Sequence, residues 1–261
     1  MDESLSASRS LVAIRGLRLR VWPMLLALVV MEACLVPGNR LARWLFRDVV
    51  PGAARHVGLF VFTATMLQGL TALAAIAAAR RLVPSFESHV RWPRGRSLVG
   101  VAVAVGVGMG LVMLVADYAP ELLARTAPGG GYSLEPPIAA GWLLAMITTG
   151  LGEETLFRGL LVGLLVVLIP GRVRVGAFET SVAGVLVAVL FGAAHYETFL
   201  HAPLPRAIAQ QLYAFAWGLA YVWLMERSKS LVAPIVAHGV GNFVEVCIVM
   251  LLMRTWGAPP T

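Results

Sequence analysis

Long apolar stretches set the first constraint on this chain of 261 residues. A helix needs roughly 20 apolar residues to cross a hydrocarbon core about 30 Å thick, and 59% of the chain is hydrophobic while only 13% is charged. The stretches are continuous and show no strand alternation, so helices rather than a barrel satisfy their backbone hydrogen bonds. The pattern predicts an all-α, polytopic transmembrane helix bundle of about seven helices (roughly six to eight). The expected spans are 22–37, 57–79, 97–116, 138–169, 180–196, 207–225 and 231–253.

Two of these spans have unusual lengths. The first is short, which is consistent with a tilted span or an interfacial anchor, and residues 38–56 around "RLARWLFRDVV" are expected to form an interfacial amphipathic helix. The fourth is too long for a perpendicular crossing. We therefore expect it to tilt, to protrude, or to break near Gly150 and Gly152.

The formal charge of +7 is better explained by membrane topology than by nucleic-acid binding. If the N-terminus is cytoplasmic, most of the connections that are rich in basic residues also lie on the cytoplasmic side. The exception is residues 38–56, which carry four arginines on the predicted outer side. The predicted orientation therefore places the N-terminus in the cytoplasm. The predicted membrane is a bacterial-type inner (plasma) membrane. The supporting groups are Arg9, Arg15, Arg18 and Arg20, five arginines within 80–96, Arg172 and Arg174, and Arg227 with Lys229.

Ionisable side chains inside the last four spans are the candidate functional residues. A charge in the bilayer centre costs about 2.5–3.5 kcal/mol even on the mildest scale, so each needs a partner or a function. Most of them occur in three short segments, "EETLFR", "FGAAH" and "HGVGN". The candidates are the ionisable residues of these segments together with one amide: Glu153, Glu154, Arg158, His195, His238 and Asn242.

The first segment predicts one ion pair and one separate carboxylate. Residues four apart share a helix face, so Glu154 and Arg158 can pair, while Glu153 points about 100° away. A carboxylate left in apolar surroundings suits a general acid or base. The alternative is a buried ion cluster that ties helices together, which the segment alone does not exclude.

Glu153 and His238 are predicted to lie at similar depths in the bilayer. His238 and Asn242 share a face, and small residues between them allow close helix approach. At about 1.5 Å per residue, Glu153 lies roughly 22 Å from the outer end of its helix and His238 roughly 10 Å from the inner end of its own. His195 comes out several ångströms higher, and a lone histidine there can also be a packing residue. The depths nonetheless predict one common cavity for Glu153, His195, His238 and Asn242.

Taken together, the three segments resemble the motifs of the CAAX protease and bacteriocin-processing family, which includes intramembrane endopeptidases of the Ras-converting enzyme type. The resemblance implies that Glu153 activates water with His195, that His238 and Asn242 stabilise the oxyanion, and that Glu154 and Arg158 support them. It also implies a membrane-anchored or lipidated protein or peptide as substrate, cleaved near its membrane-proximal and C-terminal end. The expected organisation is a basic cytoplasmic segment, 1–21, and a single transmembrane domain, 22–261, with the catalytic core in 138–253.

Several alternatives remain open at this point. Relatives are often described as metalloendopeptidases, and Glu153, His195 and His238 are the set that would bind Zn²⁺. A metal-free glutamate mechanism without a cofactor is favoured, because the chain lacks an H-E-x-x-H helix and Asn is a poor zinc ligand. A proton-coupled transporter is a second hypothesis. Many transporters are built from two repeated halves, and the sequence shows no such repeat. A catalytically inert immunity or scaffold protein of the same fold is a third.

Overall fold

A computed structural model describes residues 10–14, 17–50, 52–129 and 131–257. Each of the predicted spans falls on a helix, which confirms the all-α bundle. The helices are α1 Val21–Trp44, α2 Val57–Leu82, α3 Val99–Ala124, α4 Pro136–Glu154, α5 Gly163–Leu168, α6 Val182–Ala193, α7 Thr198–His201, α8 Leu204–Ser228 and α9 Val232–Trp256. Two π-helical segments, Leu45–Val49 and Thr155–Val162, and a 3₁₀ turn, Ala53–Arg55, complete the helical structure. The strands are β1 Ser10–Ile14, β2 Leu17–Arg20, β3 Arg172–Val175 and β4 Phe178–Ser181.

Hydropathy and length identify the chain as an integral membrane protein. Five helical stretches are long and apolar enough to cross a membrane, namely Val21–Val49, Val57–Leu82, Val99–Ala124, Val182–His201 and Val232–Trp256. Two further long helical segments, α8 and the rod formed by α4, Thr155–Val162 and α5, are packed among them. The rod carries the charged residues of the "EETLFR" segment.

The rod from α4 to α5 is the central element of the bundle. Its α4 part packs against α2 and α9, and its π-helical part contacts α1, α2, α6 and α8. Every residue of Thr155–Val162 is buried. Charged groups on this rod are therefore enclosed by other helices rather than by lipid.

Close helix contacts in this bundle depend on glycines of the rod. A Cβ added at Gly152 would overlap the backbone carbonyl oxygen of Thr65 on α2, and a Cβ added at Gly150 would lie 2.6 Å from the carbonyl oxygen of Ile235 on α9. Both obstacles are backbone atoms, which cannot move aside as a flexible side chain can. Small residues therefore bring α2 and α9 close to the part of α4 that carries the two glutamates.

We expect Gly152→Ala to destabilise the protein, because the added methyl group must push α2 away from α4. Overpacking of this kind costs about 1–3 kcal/mol. The measurement is the midpoint of thermal unfolding in detergent, with Gly108→Ala on α3 as the matched control, since nothing lies within 4 Å of a Cβ there. Equal midpoints for the two variants would show that the α2–α4 contact is not tight.

The structure corrects two expectations about residues 22–56. The first span does not end at 37, and residues 38–56 do not form a separate interfacial helix. Instead α1 continues to Trp44 and passes directly into Leu45–Val49. Pro37 is tolerated inside the helix, and a Cβ at Gly38 would lie 3.0 Å from the backbone nitrogen of Gln68. Packing against α2 thus holds the helix together past the proline.

The fourth predicted span does not break at Gly150 or Gly152. It stays α-helical to Glu154, becomes π-helical over Thr155–Val162, and is α-helical again to Leu168. The glycines permit close packing, as described above, instead of ending the helix. The change in helix type therefore comes immediately after the paired glutamates, beside the site.

Polar contacts tie together the connections at the end of the bundle where α2, α5 and α8 finish. Arg91 Nε donates to the carbonyl oxygen of Lys229 at 2.9 Å, and Ser230 Oγ donates to the carbonyl oxygen of Arg91 at 2.5 Å. Residues of the 83–98 connection are thereby joined to the α8–α9 connection.

The β3–β4 hairpin is attached to α8 at the same end of the bundle. Arg172 pairs with Glu179 across the hairpin and with Glu226 of α8 at 3.1 Å. Its hydrogen bond and positive charge lower the pKa of the Glu179 carboxyl. Glu226 also accepts a hydrogen bond from the backbone nitrogen of Ser181 at 3.0 Å, so one glutamate anchors both strands.

The N-terminal residues form a second hairpin, in which β1 pairs antiparallel with β2. Residues 1–9, 15 and 16 of the predicted basic segment 1–21 lie outside the described residues. Its cytoplasmic location stays a prediction.

Candidate functional site

The adjacent glutamates at the end of α4 occupy different environments. Glu154 is completely buried, whereas the side chain of Glu153 is 22% exposed. This difference follows from the helical turn of about 100° between neighbouring residues. Glu153 faces cavities in the bundle, and Glu154 faces the protein interior, as the spacing of the segment predicts.

Glu154 joins two elements through a single oxygen atom. Arg158 Nη1 donates to Glu154 Oε1 at 3.1 Å, which is the predicted pair, and His238 Nδ1 on α9 lies 2.8 Å from the same oxygen. The contact with His238 was not predicted from the sequence. Glu154 therefore orients a histidine from a helix more than 80 residues away as well as pairing with its own neighbour.

Aromatic rings enclose the Arg158 guanidinium, which is fully buried. Its Cζ lies 4.3 Å from the ring centroid of Phe191 and 4.9 Å from that of Tyr221. Among the described residues, Arg158 Nε and Nη2 have no hydrogen-bond partner. Cation–π contacts thus supply part of the stabilisation that water gives an exposed guanidinium.

His238 is held in a fixed plane. The ring of Tyr221 stacks on it with centroids 5.0 Å apart and planes 15° apart, and Phe191 meets it edge-on at 5.9 Å. Because Nδ1 faces Glu154, Nε2 points the other way and lies 3.8 Å from Glu153 Oε2. One imidazole therefore lies between the two glutamates.

His195, immediately after α6, presents one free ring nitrogen. Its Nδ1 lies 2.8 Å from the carbonyl oxygen of Phe191, which can only accept a hydrogen bond, so Nδ1 carries the proton. Nε2 then keeps a lone pair and can accept. Gln211 of α8 donates to the backbone oxygen of His195 at 3.1 Å and fixes this end of α6.

The four residues that were predicted to share a cavity all border a single cavity. This cavity has a volume of about 280 Å³ and lies between α3, α4, α8 and α9. Glu153, His195, His238 and Asn242 all border it. We call it the inner cavity.

A larger cavity of about 640 Å³ shares two of these lining residues with the inner cavity. It lies between α1 and the end of α6, and Glu153 and His195 border both spaces. We call it the groove. Glu153 and His195 are thus accessible from both cavities.

A Zn²⁺ ion at this site would have to be bound by Glu153, His195 and His238 together. Within the part of the chain that the structure describes, no group of three His, Cys, Asp or Glu side chains is arranged to hold a metal ion. His238 Nε2 faces Glu153, but His195 does not complete a set with them. In this arrangement Glu153, His195 and His238 do not form a metal-binding set.

Several residues of the site carry no signal in the sequence. Tyr221 contacts both Arg158 and His238, yet an aromatic residue inside a span is normally a packing residue. Phe191 was visible only as the first letter of "FGAAH". A further polar residue that borders the inner cavity, Asp117, accepts a hydrogen bond from Tyr213 at 3.1 Å. Long-range contacts of this kind cannot be read from spacing.

Comparison with known proteins adds one match. Residues 135–244 match the model of a family described as type II CAAX prenyl endopeptidase, Rce1-like. The matched segment begins next to the start of α4 and ends within α9, so it includes all six candidate residues. No curated protein and no solved structure matches the chain.

Proposed function

We propose that this chain, whose residues 135–244 match the type II CAAX prenyl endopeptidase, Rce1-like, family, hydrolyses a peptide bond near the C-terminal end of a membrane-anchored or lipidated protein. The observation that carries the proposal is the common cavity bordered by Glu153, His195, His238 and Asn242. Peptide hydrolysis needs an activated water on one side of the carbonyl group and hydrogen-bond donors on the other. These four side chains supply both.

Glu153 is proposed as the general base. A water molecule held between its carboxylate and the free Nε2 of His195 attacks the carbonyl carbon, and Glu153 takes the proton as the new C–O bond forms. The same carboxyl group then returns the proton to the leaving amine as the C–N bond breaks. One water is consumed, and a carboxylic acid and an amine are released.

Asn242 and His238 are proposed to stabilise the tetrahedral oxyanion. The Asn242 carboxamide borders the cavity one helical turn beyond His238 and can donate directly. His238 can donate from Nε2 only if it carries protons on both nitrogens, because Nδ1 is engaged with Glu154. In that form His238 and Asn242 present two donors to the same cavity.

Glu154 and Arg158 are proposed to position His238 rather than to touch the substrate. Both are completely buried, so neither reaches the cavity. Arg158 balances the charge of Glu154, and Glu154 fixes the orientation of the imidazole ring.

We also propose that the N-terminus lies in the cytoplasm, which the distribution of arginines between spans supports.

Hydrolysis by the purified protein in lipid vesicles tests this function. The substrate is a lipidated peptide, and mass spectrometry identifies the two fragments. Asn242→Ala should lower kcat about 10²–10³-fold with little change in KM, because the lost donor acts mainly in the transition state. Cys247→Ala, further along α9 and outside both cavities, serves as the control. A wild type that cleaves no such peptide contradicts the proposal.

A further inference from the structure

The groove has both apolar and polar walls. Its apolar residues include Leu28, Leu35, Val36 and Leu190, and Glu153 borders both the groove and the inner cavity. Two of its polar features are a buried amide on α2 and a pair of arginines on α1. Neither is used in the chemistry proposed above.

The buried amide is Gln68. Its residue is only 8% exposed, it borders the groove, and its Nε2 has no hydrogen-bond partner among the described residues. The next residue, Gly69, lies against Gly152: a Cβ there would be 3.0 Å from Gly152 Cα. Gln68 is therefore level with Glu153. A buried amide donor without a partner leaves a hydrogen bond to be made, and a substrate carbonyl beside the reacting bond can accept it.

The arginines are Arg40 and Arg43, which both border the groove. In the structure as described, neither forms an ion pair or a side-chain hydrogen bond. Two acidic residues besides Glu153 share the groove, Glu32 and Glu197. Glu197 follows α6 on the opposite wall and is unpaired with either arginine, and Glu32 lies about 12 Å from Arg40 along α1.

The spacing along α1 relates the arginines to the reacting bond. Gly38 packs against the backbone nitrogen of Gln68, so it marks the level of Glu153. Arg40 and Arg43 then lie about 3 Å and about 7.5 Å further along the helix. An extended peptide advances about 3.3 Å per residue. An anionic group held by these arginines is therefore roughly one to three residues beyond the scissile bond.

We propose that the groove binds the leaving C-terminal segment of the substrate, with Gln68 donating to a backbone carbonyl and Arg40 and Arg43 binding the free terminal carboxylate. This inference rests on the endopeptidase function proposed above. Arginine suits a carboxylate because its planar donors match the two oxygens. A lipid phosphate has the same charge chemistry, so the experiment separates the two sources.

The experiment compares three lipidated peptides in vesicles: a free acid, its C-terminal amide, and a version extended by about five residues. For the wild type we expect kcat/KM to be about tenfold higher for the free acid than for the other two. The double variant Arg40→Gln/Arg43→Gln should bring this ratio close to one. Arg47→Gln is the matched control, since Arg47 is exposed on the same segment but outside the groove, and it should keep the preference.

Other results overturn the inference. An acid-to-amide ratio that the double variant leaves unchanged excludes carboxylate binding by these arginines. A loss of activity that is equal for acid and amide, and that depends on the anionic lipid content of the vesicles, assigns the arginines to lipid phosphate. If the wild type cleaves none of the peptides, the endopeptidase function fails, and this inference fails with it.

Gln68 is tested separately as a positioning residue. Gln68→Ala should raise KM for the acid and the amide by the same factor, about five- to tenfold, and should leave the acid-to-amide ratio unchanged. Gln68→Glu, which keeps the shape but repels a carbonyl oxygen, should not restore binding. An unchanged KM in Gln68→Ala contradicts the role proposed for this amide.

Discussion

Glu153→Gln should abolish peptide hydrolysis while the protein remains folded in the membrane. Glutamine keeps the shape of the side chain but cannot accept the proton of the attacking water, and loss of a general base lowers the rate about 10²–10⁴-fold. The side chain of Glu153 is partly exposed and borders both cavities. It forms no buried ion pair comparable to that between Glu154 and Arg158. The substitution should therefore affect kcat far more than stability.

The measurement is the rate of fragment release in vesicles, together with the unfolding midpoint in detergent. Glu135→Gln is the matched control, because Glu135 is an exposed carboxylate that immediately precedes α4. It should keep the wild-type rate. Residual hydrolysis by Glu153→Gln at more than about a tenth of the wild-type rate would be incompatible with the general-base role.

Arg158→Met should be the most destabilising single substitution at the site. Methionine fills much of the space between Phe191 and Tyr221, but it leaves the carboxylate of Glu154 without its cation. Breaking a buried ion pair from one side costs about 3–5 kcal/mol, since the remaining charge is uncompensated. The expected result is a large fall in the unfolding midpoint in detergent, accompanied by loss of folded protein.

Two further variants make this result interpretable. Arg158→Met/Glu154→Gln removes both charges and should recover part of the stability, since replacing a buried pair entirely is far less costly than breaking it. Arg174→Met, at an exposed position of the β3–β4 hairpin, should change the midpoint little. If the double variant is less stable than Arg158→Met alone, the ion pair is not the source of the destabilisation.

The helical architecture follows from the sequence because the bilayer imposes it. An uninterrupted apolar stretch has one economical conformation in a hydrocarbon core, so the positions of the spans are local information. The path of α1 past Pro37 is different. Its continuation depends on Gly38 packing against α2, and nothing within the segment itself indicates which neighbour will be present.

The site shows the same division between local and long-range information. The pair of Glu154 and Arg158 lies within one helical turn, so spacing alone predicts it. The contact between Glu154 and His238 joins helices that are distant in sequence, and its place at the centre of the site became visible only in three dimensions. The change to a π-helix at Thr155 likewise has no marker in the sequence.

The position of Glu153, which borders both the inner cavity and the groove, has a consequence for the proposed turnover. If the proposed hydrolysis takes place at Glu153, the two fragments occupy different cavities, so each can leave without passing the other. The membrane-anchored fragment would then diffuse away within the bilayer while the short fragment leaves through the groove. An excess of the short fragment should accordingly compete with new substrate for the groove alone.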